Sequence, residues 1–382
     1  MAHNQSRDIA VIGGGIGGLT AALAFARSGA NVTVYEQAPA LTEVGAGLQI
    51  TPNGARALDA LGLAQALAAS GVTAEAVVPM DAMSSKEITR FDLTTQSPHY
   101  RFYHRAALID ILARGCDGAG VTVKLGAQVT ALYPDGSFET NGETVRPALT
   151  VGADGIHSVV RRAINKPSDP FFTGQVAWRA TIKSDRTDPV ARIWMAPGRH
   201  MVTYPLLGGR LNIVAVQERS QWAKEGWHHA DDPGNLRMAF ADCGWDAKSI
   251  LSKVDDARLW GLFRHPVAAN WHSGAIAILG DAAHPTLPFL AQGANLAIED
   301  AYTLARCCDE DAAIEAGLRS YQAKRRARVV RAIEAANKNA RKYHLGGVQR
   351  MVAHAGLRTL GKMAPAAFLN RMSWLYDHDV TA

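Results

Sequence analysis

Residues 8–27, DIAVIGGGIGGLTAALAFAR, are the most informative segment of this chain for its fold class. Its first five residues, Asp8–Ile12, form a nearly continuous apolar run, which is typical of a strand buried on both faces of a parallel sheet. The pattern G-x-G-x-x-G follows at once, at Gly13, Gly15 and Gly18. Residues 19–27 are rich in Ala and Leu and predict a helix. The order of strand, glycine turn and helix predicts the first unit of an α/β sheet.

A second apolar run, residues 31–35, predicts the next strand and ends at Glu36. The glycines allow a tight turn and a close approach of the backbone to a pyrophosphate at the positive end of the helix. The carboxylate of Glu36 can accept hydrogen bonds from both hydroxyls of an adenosine ribose. A glycine-rich turn in an unrelated α/β protein would leave Glu36 unexplained. The unit therefore predicts a dinucleotide site, which suits FAD or NAD better than NADP with its phosphorylated ribose.

The composition is that of a globular protein with a large core. The chain has 382 residues, of which 48% are hydrophobic and 20% charged, and no internal repeat is present. A disordered chain and a solenoid are therefore excluded. The net charge of +5 is too small for a nucleic-acid footprint. We expect neither a nucleic-acid partner nor a membrane span, because glycines interrupt the apolar run at residues 10–26.

The cysteines predict no metal site and no disulfide framework, because C-x-x-C spacing is absent among Cys116, Cys243, Cys307 and Cys308. Reduced thiols are typical of an intracellular protein, so we expect a cytoplasmic location. Cys307 and Cys308 are expected in the core, since they lie in an Ala/Leu-rich helix.

Two later segments place an aspartate after a predicted strand. Leu149–Gly152 runs into Ala-Asp-Gly with Asp154, and residues 274–279 run into Gly280 and Asp281. Open α/β sheets bind ligands at the carboxyl ends of their parallel strands. Both aspartates are therefore predicted at a ligand-binding edge.

The glycine-rich unit, the GADG segment at residues 152–155 and the GDAAHP segment at residues 280–285 together resemble the FAD-dependent aromatic hydroxylases. These are single-component flavoprotein monooxygenases similar to salicylate hydroxylase and 3-hydroxybenzoate 6-hydroxylase. The resemblance extends over nearly the whole chain, to the WLYD segment at residues 374–377. It implies FAD as cofactor, NADH or NADPH as co-substrate, O2, and a small aromatic substrate. We favour NADH, because the sequence offers no evident site for a 2′-phosphate.

The expected fold class is α/β, with a Rossmann-like FAD-binding domain, an interleaved antiparallel-sheet substrate domain and C-terminal helices. Short β-rich runs predict the antiparallel sheet, at residues 177–181, 191–196, 200–206 and 211–217. Part of 71–100 is expected to join it. The predicted FAD-binding domain comprises 1–70, 101–165 and 265–345. The predicted substrate domain comprises 71–100 and 166–264, and 346–382 form a C-terminal helical segment.

The resemblance also implies cofactor contacts. It assigns Asp281 to the ribityl chain, Asp154 to FAD and nicotinamide-nucleotide contacts, and Arg105 to the vicinity of the flavin. A surface cation on a helix is the alternative for Arg105. Backbone N–H groups at residues 292–294 would face the flavin pyrimidine edge. The full predicted cofactor set is Gly13, Gly15, Gly18, Glu36, Gln37, Gln49, Arg105, Val129, Asp154, Gly280, Asp281, Gly293, Ala294 and Asn295.

The candidate catalytic residues are His200 and Tyr204, which share one face if their segment is a strand. The resemblance implies that His200 acts as base towards a ring hydroxyl and that Tyr204 orients the substrate. Ring oxygenation by a C4a-hydroperoxide of the flavin is faster on a phenolate than on a phenol. Phe289 is expected to form an apolar wall of the substrate pocket. The alternative is a satisfied, half-buried histidine beside a packing tyrosine.

Two other functions remain open from the sequence. The same scaffold supports epoxidation, halogenation or other flavin chemistry on a non-aromatic substrate, and a redox-silent FAD-binding protein is a further alternative. The basic run at residues 324–328 is interpreted as a solvated helix face. A homodimer is left open, as are the aromatic substrate and the position hydroxylated.

Overall fold

The computed structural model describes residues 3–4, 6–41, 47–167, 170–186, 188–220 and 229–382. The strands are, in chain order, β1 (Asp8–Ile12), β2 (Asn31–Glu36), β3 (Gly47–Ile50), β4 (Val72–Thr73), β5 (Ala76–Asp81), β6 (Lys86–Glu87), β7 (Phe91–Asp92), β8 (Arg101–His104), β9 (Thr122–Leu125), β10 (Val129–Leu132), β11 (Phe138–Thr140), β12 (Glu143–Val145), β13 (Leu149–Gly152), β14 (Phe171–Lys183), β15 (Val190–Ala196), β16 (Arg199–Leu206), β17 (Arg210–Glu218), β18 (Ala230–Asp231), β19 (Ala257–Arg264), β20 (His272–Ser273) and β21 (Ile276–Ile278).

The helices complete the element order. They are α1 (Ile16–Arg27), α2 (Pro52–Ala60), α3 (Ala64–Ser70), α4 (Arg105–Gly118), α5 (Val159–Ile164), α6 (Pro233–Ala239), α7 (Trp245–Leu251), α8 (Gly293–Glu310), α9 (Ile314–Tyr343), α10 (Gly347–Met363) and α11 (Ala367–Tyr376). A short 3₁₀ turn occupies Gly280–Ala282.

A six-stranded sheet has the order β20-β21-β13-β1-β2-β9. Its strands pair in parallel except at the β20 edge. The predicted strands at Asp8–Ile12 and Leu149–Gly152 are confirmed with the same bounds, and the predicted helix begins earlier, at Ile16. Since β1 lies between β13 and β2, the glycine turn, Asp154 and the end of β2 meet at one edge of this sheet.

A nine-stranded sheet has the order β18-β19-β14-β17-β16-β15-β5-β6, with β7 paired to β5. Its long strands β14, β17, β16 and β15 contain the four predicted β-rich runs and are antiparallel. The expected contribution from 71–100 is confirmed by β5, β6 and β7. The fold class is therefore the expected one.

Each large sheet draws on separate parts of the chain. All strands of the six-stranded sheet lie in the ranges predicted for the FAD-binding domain, and those of the nine-stranded sheet lie in the ranges predicted for the substrate domain. A small sheet, β3-β8-β4, joins the two groups of ranges, because β4 pairs with β8. The division into domains stays a prediction that these sheets support.

The two faces of the nine-stranded sheet have different surroundings. One face buries Trp178, Trp194 and Ile213 in a cluster that includes α6 and α7. The opposite face contributes Ala177 and Val216 to a cluster with Phe289. Strand alternation places His200 and Tyr204 on this second face, since His200 pairs with Val216 across β16 and β17.

The basic run in α9 is not a solvated face, so that interpretation was wrong. Arg325 is 1% exposed and pairs with Glu299 and Asp300 of α8. Lys324 and Arg326 are exposed, as expected for their helix positions. Arg325 and Arg328 turn inwards because α9 packs against α8, where both pair with the buried carboxylate of Glu299.

The described part of the chain contains no helix that is both long enough and apolar enough to cross a membrane. Within the same residues, no group of three or more His, Cys, Asp or Glu side chains is arranged to hold a metal ion. The four cysteines are buried and free, and Cys307 and Cys308 lie in the core as predicted.

Candidate active site

The glycine turn after β1 is shaped partly by the protein's own packing. Gly13 has a φ of +104°, and a Cβ there would lie 2.4 Å from the carbonyl oxygen of Ala153. A Cβ on Gly18 would lie 1.9 Å from the carbonyl oxygen of Gly13. Gly15 caps the N-terminus of α1, and a Cβ there would meet no protein atom within 4 Å. The absence of a side chain at Gly15 therefore keeps the helix N-terminus accessible, which is what an approaching anion needs.

Glu36 lies directly beside this turn. Its Oε2 atom accepts a hydrogen bond from the backbone N–H of Gly14 at 2.6 Å, and Oε1 accepts one from Ala38 at 2.7 Å. The side chain is half-buried, whereas Gln37 is exposed. The structure thus brings Glu36 to the glycine turn, where the adenosine end of a dinucleotide is expected.

Asp281 and Arg105 carry opposite charges and interact electrostatically. Asp281 keeps solvent-accessible surface, but many protein atoms surround its carboxyl group. This desolvation raises the pKa of the carboxyl, while His284 and Arg105 lower it. Burial lowers the pKa of Arg105, and Asp281 opposes that change. Arg105 is half-buried at the start of α4 and is not a surface cation. Each of the two charges therefore stabilises the other.

The N-terminus of α8 is held in place by Asn295. This side chain is fully buried, and its Oδ1 atom accepts from the backbone N–H of Thr51 at 2.9 Å. Its Nδ2 atom donates to the carbonyl oxygens of Gln49 and Ala291 at 3.0 and 2.7 Å. The structure places the predicted residues Gly293 and Ala294 in the first turn of the helix. The amide of Asn295 is engaged by the protein, so a cofactor contact there would use the backbone.

Two predicted cofactor residues have contacts within their own segments. The carboxylate of Asp154 accepts from Ser158 Oγ at 2.5 Å and from the backbone N–H of Val159 at 2.7 Å, which ties down the start of α5. Its Cα would lie 3.1 Å from a Cβ on Gly13, so Asp154 borders the glycine turn. Val129 is buried at the start of β10 and pairs with Thr140.

His200 occupies a buried, mostly aromatic environment on β16. Its ring centroid lies 5.6 Å from that of Phe289 and 5.2 Å from that of Tyr343. Its Nδ1 atom lies 2.7 Å from Nε2 of His344, whose Nδ1 atom lies 2.7 Å from Oε1 of Glu218. Burial, together with His344, lowers the pKa of His200 well below its ordinary value. His200 is therefore an uncharged imidazole at neutral pH.

Tyr204 is buried four residues along the same strand. Its ring centroid lies 5.1 Å from that of Phe102, and a Cβ on Gly47 would lie 2.7 Å from its Cε2 atom. Burial raises the pKa of the phenol, and Arg179 opposes that change. The Gln49 side chain accepts a hydrogen bond from Tyr100 at 2.5 Å, which places it among the aromatic residues next to β3.

Arg179 is a candidate site residue that the sequence did not reveal. The sheet register places Arg179 opposite Val214, which is opposite Val202, the residue midway between His200 and Tyr204. All these side chains therefore project from one face. The guanidinium lies 4.6 Å from the ring centroid of Trp260, and burial, followed by repulsion from Arg105, lowers its pKa to about 10. An apolar face with one cation and one neutral imidazole can hold an aromatic anion.

The residues present fit FAD. A Cβ-free position at the N-terminus of α1 suits a pyrophosphate, Glu36 suits the adenosine ribose, and the exposed Asp281 in its deep setting suits the ribityl hydroxyls. The first turn of α8 would present N–H groups and a positive dipole end to the flavin ring. Bound there, FAD would supply redox chemistry and O2 activation.

Comparisons with known proteins identify the family and the cofactor. Residues 6–336 match the model of the FAD binding domain family. The chain is 34% identical to 3-amino-4-hydroxybenzoate 2-monooxygenase of Streptomyces cremeus, over 88% of each chain. It is 32% identical to 3-hydroxybenzoate 6-hydroxylase 1 of Aquipseudomonas alcaligenes, over 99% of this chain and 98% of that protein.

A solved structure of a salicylate hydroxylase substrate complex superposes with a TM-score of 0.81 at 23% identity, over 98% of this chain and 96% of that one. At this identity the likeness shows the shared fold. The family model covers most of the chain, and the two relatives cover nearly all of it at more than 30% identity. The chain therefore belongs to the FAD-dependent aromatic hydroxylases and is a flavoprotein monooxygenase.

Proposed function

We propose that this enzyme hydroxylates a small aromatic acid that carries a ring hydroxyl, with O2 and a nicotinamide nucleotide as co-substrates. The observation that carries the proposal is the neutral, buried imidazole of His200 facing Phe289 on the same sheet face as Tyr204. An uncharged imidazole is a base that can take the proton of a phenol. The relatives named for hydroxybenzoate and aminohydroxybenzoate support this substrate class.

The side chains around His200 suggest how the substrate is held. Phe289, Val202 and Val214 offer apolar surface to a ring. Arg179, about 10 Å from β16 across two strand spacings, suits a carboxylate on the far side of that ring. Tyr204 stands on the same strand as His200 and would contact the ring edge or its hydroxyl. The pocket would therefore bind both the carboxylate and the ring hydroxyl of a hydroxybenzoate-like molecule.

Proton removal is the chemical contribution that the protein makes to the ring. FAD, when bound, would supply the redox chemistry, with electrons that come from the nicotinamide nucleotide. His200 would accept the proton of the ring hydroxyl and so raise the electron density of the carbon that is oxygenated. The surrounding aromatic side chains exclude water from this position, which strengthens the electrostatic interaction between base and substrate.

We further propose NADH as the preferred reductant. This preference rests on the sequence, which offers no evident site for a 2′-phosphate. A cytoplasmic location is proposed from the four free cysteines. A homodimer stays a prediction that light scattering on the purified holoenzyme would test.

A substrate panel tests the proposed function. The panel contains 3-hydroxybenzoate, salicylate and 3-amino-4-hydroxybenzoate, with benzoate as the control that lacks a hydroxyl and phenol as the control that lacks a carboxylate. We expect at least one hydroxylated acid to accelerate NADH oxidation and to yield a product heavier by one oxygen atom. Benzoate should yield no such product. Flavin-loaded enzyme that produces no hydroxylated product from any phenolic acid would contradict the proposal.

A further inference from the structure

A continuous hydrogen-bonded chain runs from the interior of the nine-stranded sheet to the protein surface. It joins Nδ1 of His200 to Nε2 of His344, and Nδ1 of His344 to Oε1 of Glu218, with 2.7 Å at each step. Both histidines are buried, whereas the side chain of Glu218 is 54% exposed. These hydrogen bonds therefore connect His200 with solvent.

We propose that Glu218 and His344 fix the position of the proton on His200 and relay the phenolic proton of the substrate to the protein surface. The proposal rests on the proposed function for the role of His200 and adds two positioning residues to that site. Neither residue is expected to contact the substrate.

The carboxylate of Glu218 determines the direction of both hydrogen bonds in the series from His200 to Glu218. A carboxylate only accepts, so Nδ1 of His344 carries the hydrogen in that bond. Nε2 of a neutral His344 is then an acceptor, and Nδ1 of His200 must donate to it. Nε2 of a neutral His200 is consequently left with a lone pair. The hydrogen bond that the structure gives His200 uses Nδ1, so Nε2 is the ring atom that can accept a proton from a substrate.

The groups that surround the two rings favour the neutral forms that this argument needs. Burial lowers the pKa of His344, although Glu218 opposes the change. Tyr343 packs against His200, and burial raises the pKa of its phenol to about 12, so it adds no charge. Arg199, adjacent to His200 in sequence, forms an ion pair with Asp242. Phe289, another ring contact of His200, is uncharged.

The proposed transfer conserves protons and leaves no charge on either ring. The phenolic O–H bond breaks, its electron pair stays on the substrate oxygen, and the proton binds Nε2 of His200. The hydrogen on Nδ1 of His200 moves to Nε2 of His344, and that on Nδ1 of His344 moves to Glu218, which exchanges it with water. A proton that returns from solvent along the same chain, when the product leaves as a phenol, restores the starting arrangement.

The backbone shows that these side chains are not needed merely to attach the end of α9. The carbonyl oxygen of His344 accepts from the N–H of Gly198 at 3.0 Å, and the N–H of Glu218 donates to the carbonyl oxygen of Gly198 at 2.9 Å. The main chain already joins α9, the β15–β16 turn and β17. The side-chain hydrogen bonds are therefore not the sole attachment of this segment in the described part of the structure.

A ligand-free measurement tests the proton position directly. In holoenzyme with ¹⁵N-labelled histidine, assigned with His200→Asn, we expect NMR to show the hydrogen of His200 on Nδ1. Glu218→Gln should produce a mixture of tautomers, because an amide both donates and accepts. Asp242→Asn is the matched control. It removes an exposed carboxylate that pairs with the neighbouring Arg199 and is not part of the hydrogen-bonded series from His200 to Glu218. A hydrogen on Nε2 of His200 in the unmodified enzyme would overturn the proposal.

A chromophoric phenol tests the consequence for ligands. Difference spectra of the holoenzyme with 3-hydroxy-4-nitrobenzoate, recorded against pH, report ionisation of the bound probe. Glu218→Gln and His344→Gln should each raise the pKa of the bound probe by about one unit, which is a tenfold smaller ionisation constant. Asp242→Asn should leave this pKa unchanged. Unchanged ionisation of the bound probe in both variants would refute the relay. If the panel yields no hydroxylated acid, the proposed function fails, while the tautomer of His200 still decides the relay.

Discussion

Nε of Arg325 donates to Oδ1 of Asp300 across 2.8 Å, and both side chains are excluded from solvent. Glu299, the neighbour of Asp300, is held in turn by Arg325 and Arg328. Burial opposes the charge of Asp300, but His284 and Arg325 together lower the pKa of its carboxyl below the ordinary value. His284, in the 280–285 segment, is therefore part of this network. The network joins α8, which begins at the proposed flavin site, to α9.

Removal of Arg325 should destabilise the fold strongly. Arg325→Met leaves the buried carboxylates of Asp300 and Glu299 without their shared cation, so we expect the free energy of unfolding to fall by about 3–5 kcal/mol. Urea unfolding followed by circular dichroism measures this change. Arg326→Met is the matched control on the exposed side of the same helix, and it should alter stability by less than about 0.5 kcal/mol. Equal effects of the two substitutions would contradict the buried ion pair.

Two glycines of the turn after β1 should respond differently to the same substitution. In Gly15→Ala the new methyl group meets no protein atom within 4 Å, so the apoprotein should keep its melting temperature while FAD affinity falls at least about tenfold. In Gly18→Ala the methyl group would lie 1.9 Å from a backbone oxygen, so both properties should suffer. Flavin fluorescence titration and thermal denaturation separate the outcomes. Unchanged FAD affinity in Gly15→Ala would place the pyrophosphate elsewhere.

Loss of the pocket imidazole should affect chemistry more than cofactor binding. His200→Ala removes the base and should lower kcat for hydroxylation by about 10²–10⁴-fold. The visible flavin spectrum should be retained, because no predicted cofactor residue bonds to His200 among the described contacts. Single-turnover product analysis gives the measurement. Turnover equal to that of the unmodified enzyme would remove His200 from the mechanism.

Arg179 should distinguish acids from neutral phenols. Arg179→Met removes the cation that we assign to the substrate carboxylate, so KM for the hydroxylated acid should rise about tenfold or more, as for loss of a charge-assisted hydrogen bond. KM for the corresponding phenol should change little. Lys183→Met, an exposed cation on the same strand, is the control. A parallel rise of KM for both ligands would indicate a packing role over Trp260 instead.

The buried histidines should make the fold sensitive to acid. Burial lowers the pKa of His200 and His344 below the ordinary value of 6.5. As pH falls through about 6.5 the unfolded chain takes up protons that the folded protein does not bind, so the free energy of unfolding decreases. Urea unfolding between about pH 7 and pH 5 should show this decrease. A His200→Gln, His344→Gln double variant should show a shallower slope, and an equal slope would assign the effect to other groups.

The features that sequence could predict are those carried by local patterns. The apolar run at Asp8–Ile12, the glycine spacing and the acid at Glu36 lie within a few tens of residues, and periodicity alone locates them. The alternating segment around His200 and Tyr204 likewise predicts a strand with both side chains on one face. The resemblance to the family then supplied the cofactor.

Features that depend on packing between distant segments were not predictable. His200 and His344 are 144 residues apart, and nothing in either neighbourhood indicates the other. Arg325 belongs to a basic run whose pattern favours solvent, and only the position of Asp300 across the helix pair explains its burial. Arg179 lies in an ordinary strand segment, and its relation to the pocket follows from the order of β14, β17 and β16.

Helix α9 is a single uninterrupted rod of 30 residues, and at about 1.5 Å per residue it is about 45 Å long. It is clamped by salt bridges in its first half and ends one residue before His344. Inserting or deleting one residue between Arg325 and His344 would rotate the imidazole of His344 by about 100° around the helix axis, away from Glu218. The length of this segment thus sets the alignment of the proton route, and changes in chain length should be tolerated after His344 rather than before it.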